Sequence, residues 1–190
     1  MSREASELYG YITSIEPVVK RGLLFYRARI TSLGDESWEV YLRGFSRDFK
    51  LGCFAKIKPI LSRQRDEEKL IVDEIEILEE VERLKPEEVT IEEVSRDNVT
   101  VITGWRNRRF FSLPIKDKEV LEKIPRELPA KVITLFIETS RGIKLASIIS
   151  EKEYKIMLRA EELLSLIEEG EKRSEKFCEE QLELGDWKLT

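Results

Sequence analysis

A period-two alternation of apolar and polar residues, interrupted by turn signals, runs through the first eighty or so positions and limits this chain more than any other feature. Leu8, Gly10 and Ile12 alternate with Tyr9, Tyr11 and Thr13 as far as Pro17, and the pattern restarts after Lys20-Arg21-Gly22 over residues 24–30. Past a turn at 33–36, Trp38, Val40 and Leu42 alternate with Glu39, Tyr41 and Arg43, and β-rich segments follow at 53–60 and 70–77. Side chains change face at every step of a strand, so this pattern suits strands with one dry and one wet face. Five short strands with turns about every 8–12 residues predict a sandwich or a small closed barrel and argue against a βαβ fold. The placement of the glycines favours the barrel.

Residues 84–150 repeat the rhythm with a different sequence. A strand near 89–94, a hairpin of 98–104 with 109–115 around Trp105-Arg106-Asn107-Arg108, a helical stretch at 117–124 and β-rich segments at 130–139 and 143–150 give the order β-β-β-α-β-β. The expected fold is therefore mainly β: a barrel over 1–83, a second small barrel over 84–150, and an α-helical segment over 151–190. In that last segment Ser150 and Glu153 form a capping box, and Tyr154, Met157, Leu158, Leu164 and Ile167 make an apolar stripe. Gly170 predicts a break or a frayed end in a long helix packed on the barrels over its first five turns, and Phe177, Leu182, Leu184 and Trp187 punctuate an acidic end that either docks on the body or recruits a protein partner.

Charge divides unevenly. The net charge of −5 arises from 14 basic and 16 acidic residues in 1–83, 12 and 10 in 84–150, and 7 and 12 in 151–190. The acidity thus belongs to the last forty residues, and a near-neutral body can still carry a basic face. A charged content of 37% with only Asn98, Asn107, Gln64 and Gln181 as amides is the balance of hyperthermophile proteins.

Several chemistries lose support. Two cysteines, Cys53 and Cys178, without any histidine leave no zinc site and no histidine-based nucleophile, so no metal and no cofactor are expected. Cys53, among Phe54, Ala55 and Ile57, reads as a small core residue, and Cys178 as a free thiol. Asp73, Glu74 and Glu76, or Glu138 with Lys144, lack the spacing of a nuclease site, and no phosphate-loop or dinucleotide motif is present. The expected protein is not an enzyme. No apolar run of membrane-spanning length and no secretory leader can be read, which predicts a cytoplasmic protein with no membrane partner.

Face assignment by period two places Phe25, Arg27, Arg29, Tyr41, Arg43 and Phe45 on one surface with Tyr9 and Tyr11. Aromatic faces that stack unpaired bases, with guanidinium groups for phosphate, are what a single-stranded nucleic acid requires. The same composition also suits a protein interface or packing within the chain. Trp105, Arg106, Arg108 and Arg109 form the densest basic and aromatic cluster, unless Trp105 caps the barrel and the arginines pair with glutamates. Lys20, Arg21, Arg63 and Arg65 fall in loops that extend a phosphate track.

The segments Tyr9-Gly10-Tyr11-Ile12, Phe25-Tyr26-Arg27-Ala28-Arg29-Ile30, Val40-Tyr41-Leu42-Arg43-Gly44-Phe45, Leu51-Gly52-Cys53-Phe54-Ala55-Lys56-Ile57 and Leu70-Ile71-Val72 resemble, in pattern, the oligonucleotide/oligosaccharide-binding (OB) domains of archaeal replication protein A. The resemblance covers residues 7–80 and lacks both those proteins' helix between strands three and four and the zinc-binding cysteines some of them carry. It implies single-stranded nucleic-acid binding, with DNA the expected ligand, in archaeal replication or repair. The second barrel reads as OB-like or SH3-like. The competing expectation is a non-catalytic adaptor subunit of a larger assembly that meets protein with the same face.

Overall fold

The computed structural model describes residues 3–4, 6–20, 22–34, 36–42, 49–64, 67–72 and 75–185. Side chains at 3, 4, 20, 24, 62–64, 67, 68, 164, 168 and 174–185 lie outside the description. The chain is mostly β, with two curled half-barrel sheets followed by a long helix. Residues 1–150 form one compact unit and residues 151–190 another.

The first sheet contains β1 (Arg3–Glu4), β2 (Leu8–Lys20), β3 (Leu23–Thr31), β4 (Ser37–Leu42), β5 (Phe54–Ile57), β6 (Ile60–Gln64), β7 (Glu67–Val72) and β8 (Ile75–Ile77), in the order β1-β6-β7-β4-β3-β2-β5-β8. β2, β3 and β4 form an antiparallel meander, β4 runs parallel to β7, and β7 pairs antiparallel with β6. β5 and β6 are separated only by Lys58 and Pro59, yet β5 pairs with β2 at the opposite side of the sheet from β7. Pro59 has no N–H to offer the ladder, so the strand breaks there, and its two halves join both ends of the curled sheet. The concave side is filled by Ile12, Ala28, Ile30, Val40, Leu42, Phe49, Ala55, Ile57 and Val72. These are the apolar members of the alternation. Cys53 packs partly buried against them.

The register shifts between Ile12 and Ser14. Thr13 is the extra residue, fully buried, with its Oγ1 2.8 Å from Thr31 Oγ1. A bulge reverses the phase of a strand, so Ser14 and Glu16 come to lie opposite Arg29 and Arg27 on the outer face.

The second sheet contains β9 (Glu87–Arg96), β10 (Thr100–Arg106), β11 (Arg109–Ile115), β12 (Ala130–Thr139) and β13 (Gly142–Ile149), in the order β11-β10-β9-β12-β13. Helix α1 (Lys118–Glu122) sits between β11 and β12. As in the first sheet, a three-stranded meander is followed by a fourth strand on the first and a fifth on the fourth, and the edge strands β11 and β13 approach each other. Curled half-barrel sheets are compatible with OB-like folds. The second core comprises Val89, Ile91, Ile102, Ile115, Val120, Val132, Phe136, Leu145 and Ile148. Gly104 is fixed by space, since a Cβ there would stand 2.1 Å from the Thr90 carbonyl oxygen.

Helix α2 (Glu151–Gly185) runs for 35 residues. The break expected at Gly170 does not occur. The helix continues through it because one glycine costs about 1 kcal/mol relative to alanine, little beside a long run of Glu, Lys and Leu.

Candidate nucleic-acid interface

Two surfaces carry the residues singled out above. The first is the outer face of β2, β3 and β4. Register places Glu16 opposite Arg27, Ser14 opposite Arg29, Tyr41 opposite Arg27, Glu39 opposite Arg29, and Tyr11 opposite Thr31. The structure therefore brings Tyr9, Tyr11, Phe25, Arg27, Arg29 and Tyr41 to one face of the sheet, and it interleaves carboxylates among them. Arg27 is ion-paired with Glu16 and lies 3.7 Å from Glu39. The hydrogen bond to Glu16 raises its pKa further. Tyr41 Oη donates to Glu39 Oε1 at 2.6 Å, and Tyr9 Oη donates to Glu7 Oε2 at 2.8 Å. Burial, then the bond to Glu39, raises the Tyr41 pKa. Tyr11 is half-buried with its ring edge-on to Phe54, and burial raises its pKa too.

Arg29 is the most enclosed member of this wall, its side chain only 18% exposed. Its Nη2 donates to Asp117 and its Nη1 to Glu119. Asp117 is also the N-cap of α1, accepting from the Glu119 and Val120 amides through Oδ1. The second barrel thus lays two carboxylates on the first barrel's wall. Arg29 is part of an internal ion-pair network, and a phosphate reaches it only by displacing those carboxylates.

The second surface is the tip of the β10–β11 hairpin. Asn107 and Arg108 have φ of 50° and 64°, positive at both central positions as a type I′ two-residue turn requires. Asn tolerates this conformation, whereas Arg in place of the usual Gly costs about 1–2 kcal/mol. Trp105 and Phe110 are paired across the hairpin, so their rings share one face, 5.4 Å apart and edge-on. Trp105 is 46% and Phe110 58% exposed. Trp105 does not cap the barrel. Arg108 and Arg109 are exposed, with no hydrogen-bond or ion-pair partner among the described residues.

Arg106 differs from both. It is 19% exposed, donates through Nε and Nη2 to the two oxygens of Glu87 at 2.8 and 2.6 Å and through Nη1 to Glu138 at 2.7 Å, and lies 4.5 Å over the Phe136 ring. These bonds raise its pKa, and they hold Glu87 below the ordinary carboxylate range. Arg106 thus ties β10 to β9 and β12 through glutamates, the alternative expected for this cluster.

Arg21, Arg43, Phe45 and Arg65 fall outside the described residues, as do the side chains of Lys20 and Arg63. Asp73, Glu74 and Cys178 are likewise not described in their side chains. No cluster of metal-ligating side chains occurs among the described residues, and no described helix is long and apolar enough to cross a membrane. Phe110 belongs with Trp105 and is absent from the set chosen by alternation in the first barrel. The cross-hairpin position opposite Trp105 is the signal that finds it.

No family model matches the chain, and no curated protein matches it. Among solved structures it aligns with the tetrameric p202 HIN2, at 12% identity over 78% of this chain and 92% of that one, with a TM-score of 0.30.

Proposed function

We propose that the chain binds single-stranded nucleic acid without catalysing a reaction, and that the β10–β11 hairpin is its principal contact. The observation that carries this is the exposed Trp105–Phe110 pair beside two guanidinium groups with no partner among the described residues, one of them held in a backbone conformation that favours glycine. Bases stack on exposed rings with about 1–3 kcal/mol each, whatever their identity, and arginines neutralise the adjoining phosphates. Binding is therefore weakly sequence-dependent and salt-sensitive. DNA as the ligand and archaeal replication or repair as the setting extend the proposal by the resemblance alone.

The test is a fluorescence anisotropy titration of labelled oligo-dT and oligo-U at low and moderate salt. Micromolar or tighter binding that weakens with salt and falls about tenfold or more in Arg108→Ala/Arg109→Ala supports the reading. No binding at micromolar protein in low salt overturns it. A second reading, a non-catalytic adaptor in a protein assembly, is favoured by one feature: α2 exposes Ile156, Leu158, Leu163, Leu166 and Ile167. Large exposed apolar surface marks a protein-binding face.

A further inference from the structure

The carboxylates on Arg29 border a cleft of about 930 Å³ between the two barrels. One wall is the outer face of β2–β4 with Ser14, Glu16, Arg27, Arg29 and Glu39; the other is formed by α1, the end of β11 and the start of β13. Lys116, Lys118, Lys123 and Lys144 lie along it. Glu16, Glu39 and Glu122 line the cleft as well, so it suits a polyanion only where a carboxylate gives way, and at Arg29 the occupants are Asp117 and Glu119. Their fit is incomplete. They take Nη1 and Nη2 of Arg29, one oxygen each, while its buried Nε has no hydrogen-bond partner among the described residues. An unsatisfied buried donor costs about 1–3 kcal/mol, and a phosphate that accepts from Nε and a neighbouring Nη together removes that cost.

The outer face of β11 links this cleft to the hairpin. Phe110, Ser112 and Pro114 alternate outward and are exposed, and Pro114 lines the cleft. From Phe110 to Pro114 the strand covers about 14 Å at about 3.4 Å per residue.

We infer that the inter-barrel cleft is a second subsite for the same nucleic-acid strand, kept closed by an internal competitor: Asp117 and Glu119 stand where backbone phosphate binds Arg29, and a strand long enough to pass from the hairpin along β11 displaces them. This rests on the proposed binding at the hairpin and adds two properties to it, a minimum length and an acidic latch. A stacked tetranucleotide spans about 10 Å over its three steps of about 3.4 Å. Anchored at Trp105, it ends short of the cleft. A 16-mer extends across it.

The experiment compares fluorescein-labelled dT4 and dT16 on the full chain and on Asp117→Asn/Glu119→Gln. Asn retains the N-cap of α1, and both changes preserve size. The expected result is affinity for dT16 raised about five- to tenfold, affinity for dT4 changed less than twofold, and a small fall in melting temperature as the latch is lost. Arg29→Lys, which loses the forked donor, weakens dT16 and leaves dT4 unchanged. An equal change at both lengths, or weaker dT16 binding in the carboxylate variant, overturns the inference while leaving hairpin binding intact. Absence of binding by either oligonucleotide to the unaltered chain overturns both.

Discussion

The wall of the first barrel and the hairpin of the second have similar compositions, arginines among aromatic rings, and opposite electrostatic states. On the wall, Arg27 faces Glu16 and Glu39, Arg29 faces Asp117 and Glu119, and the hydroxyls of Tyr9 and Tyr41 are spent on glutamates. At the hairpin, Arg108 and Arg109 have no partner among the described residues, and Trp105 and Phe110 touch chiefly each other. Composition therefore does not measure availability. A guanidinium already paired must exchange one anion for another when it binds phosphate, so its net gain is small, whereas an unpaired one releases only water and counterions.

The largest effect that separates structural from binding arginines is expected at Arg106. Arg106→Ala strips Glu87 of its bidentate partner at a site about a quarter exposed and should cost about 2 kcal/mol of stability, read as a fall in melting temperature. Arg108→Ala/Arg109→Ala should leave the melting temperature unchanged and weaken oligonucleotide binding about tenfold or more. If the two variants behave alike, the distinction between them collapses.

Arg108→Gly sharpens the comparison further. Gly adopts the positive φ without strain, so the variant should be about 1 kcal/mol more stable and yet bind more weakly. A gain in stability with unchanged binding makes Arg108 a mere turn residue.

The smallest effect is in acid. The bond from Arg106 holds the folded-state pKa of Glu87 below its ordinary value of 4.5. Its contribution to stability is complete above the unfolded-state pKa and is lost as pH falls through the lowered folded-state value. Glu87→Gln should therefore flatten the fall in stability below about pH 4.5. A parallel fall in both proteins contradicts the assignment.

What could be read from the chain alone follows from the range of each interaction. Alternation is local, and Ala28, Ile30, Val40 and Leu42 are buried where the period places them. The β-β-β-α-β-β order of residues 84–150 is equally local, and it appears with Asp117 capping α1. The bulge at Thr13 has no composition of its own, because the extra residue is accommodated by a buried hydroxyl pair with Thr31 that only the folded sheet creates. The partners of Arg29 lie about ninety positions away in the other barrel, and those of Arg106 on β9 and β12. With 37% charged residues, any arginine has many candidate partners, and strand order selects among them. The aromatic and basic hairpin was visible because its members are consecutive. Which of its arginines stays available depends on the sheet around it.

The most direct measurement is the salt dependence of oligo-dT affinity for the unaltered chain and for Arg108→Ala/Arg109→Ala. Each phosphate contact to a single strand contributes about 0.7 to the slope of log affinity against log salt. Two freely available arginines predict a slope shallower by about 1.4 in the double variant. An unchanged slope, with affinity intact, places the phosphate contacts elsewhere and contradicts the account.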